Sequence, residues 1–332
     1  MHYRDVFVSL CVSASCALGC GSSIEVTIAP QEATAAPGSE VHFLATVLHA
    51  SNPAVQWSLA PPTADGTIDA TGRYVVPTTP GTFIVIASSA EDPGQRAMAR
   101  VIVHDDLKDG RGPILPVPRI YTLWWGDTAA FPQGAIDAVT SFLTGIGGTP
   151  YLNVATQYSR GVSANATFVA NLLDATTSPP DGNPTFSDLS NEVCRTVVAN
   201  GVQLRDSDLF VIYGSKFPNE PAHCAFHGAA ECNGRIIPIA YVPNPVGTSC
   251  PGPLRSGPAC NALSPEAASI INSTAHELLE SMLNPFGAGW TDSHGFEIAD
   301  KCETVFACIP IRVQKFLVQG EYSNIAHACV WE

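Results

Sequence analysis

The cysteines of this chain are spread so unevenly that they limit its fold before any other feature is read. Of eleven, three stand at positions 11, 16 and 20, and the other eight are Cys194, Cys224, Cys232, Cys250, Cys260, Cys302, Cys308 and Cys329. In an exported chain such an even set implies up to four disulfides stapling one domain, with the pairing left open. A zinc cluster is the competing reading, but it calls for close Cys-x-x-Cys pairs and the spacings contain none. Residues from about Ile24 to His104 contain no cysteine at all.

Export is written at the N-terminus. The run Val6–Leu18 is apolar or small throughout, follows Arg4, and closes on Ala17-Leu18-Gly19-Cys20. It is too short to span a bilayer and reads as a signal peptide covering residues 1–19. Its Leu-Gly-Cys ending resembles the lipobox of bacterial lipoproteins, in which Cys20 becomes the lipid-bearing first residue. Ala17 stands where that pattern usually has Leu, and plain cleavage near Ala17 is the alternative. Both place the chain outside the cell or at its envelope, as an outer-membrane lipoprotein if Cys20 is lipidated. The membrane is then touched only through that lipid, since no later run approaches the roughly 20 apolar residues of a spanning helix. Sixteen Lys and Arg against thirty Asp and Glu give a net charge of −14. Nucleic acid is therefore not an expected partner, because its phosphates would be repelled.

The length fits two modest domains. Between residues 24 and 104, Val41, Phe43, Ala45 and Val47 alternate with polar neighbours, and Phe83, Val85 and Ala87 oppose Thr82, Ile84 and Ile86. Pro37-Gly38, Asp65-Gly66, Thr71-Gly72, Pro80-Gly81 and Pro93-Gly94 supply turns. This spacing predicts an antiparallel β-sandwich of roughly six or seven strands. The stretch from Val55 through Trp57 to Tyr74 resembles the bacterial Ig-like domains of surface proteins, which implies a core Trp57 and a spacer or adhesion role. Residues 105–118, with Asp105, Asp106, Asp109 and several prolines, read as a linker. From Arg119 to residue 332 the pattern predicts strands at Ile120–Gly126, Asp208–Gly214 and Arg235–Val242, and a helix at Gly134–Ile146. Pro238 marks Arg235–Val242 as an edge strand, open to an extended substrate.

Ser264-Pro265-Glu266 opens a further helix with an N-cap, a proline at the first position and an acid in the first turn. Asn284-Pro285 closes it. Ala268, Ile271, Ala275, Leu278, Leu279 and Met282 form its apolar stripe, with His276 and Glu280 side by side at the border. His276-Glu277-x-x-Glu280 is a variant of the His-Glu-x-x-His helix of zinc peptidases. There the residues one turn apart hold the ion and the intervening glutamate, here Glu277, is the general base. The pattern assigns His276 and Glu280 as ligands, Glu297 as the third, and Asp300 as an orienting partner or alternative ligand. The implied cofactor is a divalent metal, zinc by analogy, with Mn²⁺, Fe²⁺ or Ca²⁺ favoured more than in the parent motif by the extra carboxylate. The same residues also suit a satisfied histidine beside two solvated glutamates. His227, near Cys224, reads as a structural histidine of a disulfide loop, and His294 as part of a solvated turn. The chain as a whole reads as an all-β Ig-like sandwich followed by an α+β, zincin-like, disulfide-rich domain.

Ala275-His276-Glu277-Leu278-Leu279-Glu280, then Asn284-Pro285-Phe286, Trp290 and Glu297-Ile298-Ala299-Asp300-Lys301-Cys302-Glu303, resembles the Exordium (phosphate-induced protein) family. Leu123-Trp124-Trp125-Gly126, Cys224-Ala225-Phe226-His227-Gly228 and Lys315–Gln319 with Cys329 extend the likeness over residues 119–331. The resemblance implies a secreted protein linked to cell-wall growth, with no reaction firmly attached, and some members lack the His-Glu pair. Two functions follow as expectations. One is a metallohydrolase acting on an extracellular peptide or cell-envelope polymer. The other is a non-catalytic surface or wall protein whose metal, if any, is structural.

Overall fold

The computed structural model describes residues 23–332 apart from 36, 61–65, 104, 182, 218–222 and 256. The leader at 1–19 and Cys20 lie outside the described residues. The chain divides into two compact units that change over between Ile102 and Val103.

The first unit is built of short strands. Glu25–Ala29 pairs with Leu44–Leu48, and Glu40–His42, Arg73–Val75 and Thr67–Ile68 make a sheet of three. Glu32–Ala35, Arg96–Val103, Gly81–Ser89 and Val55–Ala60 line up as a sheet of four. The alternation read from the sequence is the alternation of burial: Phe43, Val47, Val85 and Ala87 are buried, while Leu44 is 72% exposed. Gly72 lies at φ +84, and a Cβ there would come within 2.3 Å of the Phe43 carbonyl oxygen, so this turn accepts only glycine.

The second unit is layered. Its sheet contains β1 (Arg119–Trp125), β2 (Thr167–Asp174), β3 (Asp208–Gly214), β4 (Phe226–Cys232) and β5 (Arg235–Pro243) in the order β2-β1-β3-β5-β4. All neighbours are parallel except β4, which runs antiparallel to β5. Helices α1 (Ala135–Ile146) and α3 (Pro265–Leu283) pack on one face through Val139, Phe142, Leu278 and Leu279. Helix α2 (Phe186–Ala199) packs on the other through Leu189 and Val193. The central strand β3 serves both faces, with Leu209 and Val211 on one side and Phe210 and Ile212 on the other. Every residue of it is buried, which is why it reads as a continuous apolar run. The β-rich character and the mixture with helices are as expected. Strands and helices alternate in layers, however, rather than segregating as an α+β domain would.

Two expectations are corrected. Arg235–Val242 is not an edge strand, because β5 lies between β3 and β4. A turn through Asn233 and Gly234, both at positive φ, folds β4 back along it. Pro238 is tolerated because pairing of β5 to β3 starts only at Ile239, so its missing N–H forfeits no ladder bond. The edge is β4. Residues 105–118 are not a linker either. Leu107 and Leu115 are buried, Lys108–Asp109 pairs with Trp290–Thr291, and Gly110 and Gly112 donate to the carbonyls of Gly289 and Ala288. Charge and prolines at the surface disguise a strap that two leucines anchor in the core.

All eight cysteines of the second unit are paired: Cys194–Cys232, Cys224–Cys250, Cys260–Cys308 and Cys302–Cys329. Bonds of this kind form and persist in an oxidising, extracellular type of environment. Among the described residues no helix is long and apolar enough to cross a membrane.

Candidate metal centre

Helix α3 starts as its sequence predicts, with Ser264 accepting from the Ala267 N–H and Pro265 at the first turn. It is buried far more completely than an amphipathic stripe requires. Glu277 and Glu280 are each only 3% exposed, so neither is a solvated surface carboxylate. Carboxylates removed from water to this degree need partners. Histidines provide them.

His276 Nε2 lies 3.2 Å from Glu280 Oε1 and 3.5 Å from Asp300 Oδ1. On the other side of the ring Nδ1 faces Gln319 Oε1 at 3.2 Å. The Gln319 amide nitrogen donates to the Ala299 carbonyl at 2.7 Å, which leaves Oε1 as the acceptor and puts the imidazole hydrogen on Nδ1. Asp300 is aimed by the turn that carries it. Its Oδ2 accepts from the Glu297 N–H at 3.0 Å, and its own N–H donates to Glu280 Oε1. The Cys302–Cys329 bond anchors the turn two residues on.

A second histidine joins from β4. His227 Nδ1 stands 3.3 Å from Glu277 Oε2 and 3.4 Å from Glu280 Oε2, and Nε2 donates to the Asn284 carbonyl at 3.1 Å. Glu297 Oε2 is 3.5 Å from Nε2, while its Oε1 accepts from Asn284 Nδ2 at 2.6 Å. The sequence pattern paired Glu297 with His276. The structure instead sets Asp300 beside His276 and Glu297 beside His227. Two groups emerge whose ligand atoms lie within 4.8 Å of one another, His276 with Glu277 and Glu280, and His227 with Glu280 and Glu297. Both could hold a metal ion. His294 takes no part: it lies in a turn whose N–H groups are held by Asp292.

The electrostatics follow from burial opposed by opposite charge. Burial alone would lower His227, but Glu277, Glu280 and Glu297 reverse this and carry it up to about 11. Burial also opposes charge on His276, and Glu280 and Asp300 override it in the same way. Burial pushes Glu277 and Glu297 up, the charge of Glu280 adding to the rise of Glu297. For Glu280 burial works upward too, yet the two histidines hold it below the ordinary value. Carboxylates outnumber the two histidines they meet, a donor set that suits a divalent cation. A cavity of about 310 Å³ opens beside it, lined by His276, Glu277 and Asp300 and by Asn272, Ser273 and Glu303.

Sequence reasoning missed His227, Asn284 and Gln319. A signal was available for the first. In a strand at Phe226–Cys232 side chains alternate, so Phe226 and Ala230 facing α2 put His227 on the side of α3.

No protein-family model matches the chain, and no curated protein sequence does. Among solved structures, an intimin mutant of EHEC O157:H7 aligns at 10% identity over 42% of this chain and 66% of that one, with a TM-score of 0.20. Two Bacteroides fragilis NCTC 9343 proteins described as alpha-galactosidases align at 11% and 10% identity, over 57% and 60% of this chain and 37% and 46% of theirs, each with a TM-score of 0.19. The chain spans less than two thirds of each, and likenesses this slight carry no argument about it.

Proposed function

We propose that the second unit is a metal-dependent hydrolase acting on a peptide or polymer outside the cell. His276, Glu280 and Asp300 hold its ion and Glu277 is its general base. The observation that carries this reading is that His276 Nε2 faces both Glu280 Oε1 and Asp300 Oδ1, beside a cavity lined by His276, Asp300 and Glu277. Imidazole with carboxylates is a donor set that suits zinc, and we assign zinc on that chemistry.

A bound divalent ion would supply Lewis acidity and make water easier to deprotonate. Glu277, held out of solvent at the cavity wall, would accept the proton from a water molecule there. Gln319 keeps the hydrogen of His276 on Nδ1, so Nε2 offers its lone pair. His227 steers the Glu277 carboxylate from the edge strand. In a two-residue hairpin the backbone groups of alternate β4 residues, His227 and Ala229 among them, point away from β5. They offer an extended substrate chain a pairing edge next to the centre.

The Exordium-like block from Ala275 to Glu303 supports the metal-site part of this reading and not the hydrolysis. In this proposal the leader exports the chain, a lipid on Cys20 holds it at the envelope, and the Ig-like first unit is a spacer. The test is Glu277→Gln. Metal content and melting temperature should stay at the wild-type level while hydrolysis of casein, mixed fluorogenic peptides and peptidoglycan falls at least ~100-fold below whatever the wild type shows. Wild-type protein that binds metal yet is inactive on all of these, and is indifferent to Glu277→Gln, would leave a structural metal instead.

A further inference from the structure

We propose that the cavity beside the centre binds a neutral sugar ring of an extracellular glycan, with Ser269 and Ser273 as its hydrogen-bonding wall. This rests on the hydrolase reading above for calling the sugar a substrate, and deepens that reading by naming the class.

Helix α3 turns a polar row to the cavity. Ser269, Asn272, Ser273 and His276 follow one another at spacings of three, one and three, so they share one face, and all four line it. Ser269 is 3% exposed and Ser273 8%, yet neither hydroxyl has a hydrogen-bond partner among the described residues. Alanine at either place would suit the helix better and bury no polar group. A hydroxyl kept from water without a partner destabilises the fold, and a ligand that meets it removes that penalty. Asn272 adds a third group. Its Oδ1 accepts from the Gln319 N–H at 2.7 Å and its Nδ2 donates to Gln319 Oε1 at 3.3 Å. Both contacts fix the amide, and one of its two N–H hydrogens is left for a ligand.

The remaining walls select among ligands. No Lys or Arg lines the cavity among the described residues, so an anion finds nothing to answer its charge. A cation would give up its water for neutral hydroxyls on α3, a poor exchange. A peptide side chain carries its polar atoms at one tip, whereas here they come from three segments. These are α3, the turn that carries Asp300 and Glu303, and His223 ahead of β4. A sugar ring has hydroxyls around its edge, each both donor and acceptor. Its C–H faces suit half-buried Phe306 and buried Leu254, which also line the cavity. About 310 Å³ is at the low end of ligand pockets, room for one ring rather than a long segment.

The test is binding, measured by calorimetry on the exported full-length Glu277→Gln protein so that turnover does not consume the probe. Chitotriose and cellotriose are titrated, beside trigalacturonate as the anionic control and triserine as the peptide control. Saturable binding of a neutral sugar is expected, with a Kd of about 1 mM or tighter, and no binding of either control. In the same background Ser269→Ala and Ser273→Ala should each weaken it about 2–10-fold, and Glu303→Ala about 10–100-fold. No binding of either neutral sugar up to ~10 mM overturns the inference, as does a control that binds equally well. Sugar affinity unchanged in all three variants overturns it too. The sugar titration decides even if a variant fails to fold. Sugar binding by a protein whose wild type hydrolyses no polymer removes the hydrolase and leaves the sugar site standing. Hydrolysis without sugar binding does the reverse.

Discussion

Gln319 shows how much of the centre is decided one hydrogen bond away from it. Its side-chain amide donates to the Ala299 carbonyl and accepts from Asn272 Nδ2, so the oxygen it turns to His276 cannot swing away. Gln319→Ala should weaken Zn²⁺ binding about 10–100-fold in a competition titration, the usual cost of losing the partner that orients a histidine ligand. Gln319→Glu, which keeps an acceptor there, should recover most of that loss. A different residue sets the response to pH. Glu321 is fully buried, accepts from the Tyr151 hydroxyl at 2.6 Å, and leaves its other oxygen without a partner. Burial pushes its carboxyl well above the ordinary value of 4.5. A carboxyl raised on folding contributes its stability below the unfolded value and loses it as pH climbs toward the folded one. Glu321→Gln has nothing to ionise. Its melting temperature should pull ahead of the wild type as pH rises from about 4 to about 8. A constant gap across that range would show that ionisation is not the cause.

At the scale of elements, the disulfides support the walls of the cavity. Cys224–Cys250 closes a loop with a sequence separation of 26 that contains β4 and β5, and both cysteines line the cavity. Replacing both with alanine should cost about 2–4 kcal/mol in a denaturant titration. Metal affinity should fall as well, because His227 lies three residues beyond Cys224 on the strand that bond anchors. Helix α3 is the element most legible in the sequence: Ser264, Pro265 and Asn284 bracket it, and Ile271, Ala275, Leu278, Leu279 and Met282 are buried as their spacing requires. Ala268 is only half-buried and Ala267 takes its place in the core. The stripe widened because the helix packs on the sheet and on other segments of the same unit, and no pattern within α3 records those neighbours.

For the molecule as a whole, the boundary between units matters most. Lys301 is buried with Asp292 and with the carbonyl of Asp105, and Asn324 holds the backbone of Leu107 on both sides. The strap at 105–118 is therefore part of the second unit, not a spacer ahead of it. A chain of residues 105–332 should be the more stable fragment. One starting at Arg119 loses the burial of Leu107 and Leu115 and leaves Lys301 short of a partner. Each leucine is worth about 1.5–3 kcal/mol on burial, so a drop of several degrees in melting temperature is expected. Equal melting of the two fragments would restore the linker.

The sequence by itself determined what depends on neighbours along the chain. It specified strands by alternation at Val41–Val47, helix α3 by its caps, oxidised cysteines by their number and setting, and a His-Glu-x-x-Glu turn that had to place His276 beside Glu280. Only the tertiary structure decided what depends on meeting across the chain. His227 reaches Glu277 over 50 residues and His276 reaches Gln319 over 43. Whether Glu297 or Asp300 faces His276 depends on how one turn is held. Which strand is the edge depends on where β4 folds back. Local propensity acts over a few residues, whereas these choices are made by burial and by the need of buried charges to find one another, and those forces operate only once the sheet has brought the segments together.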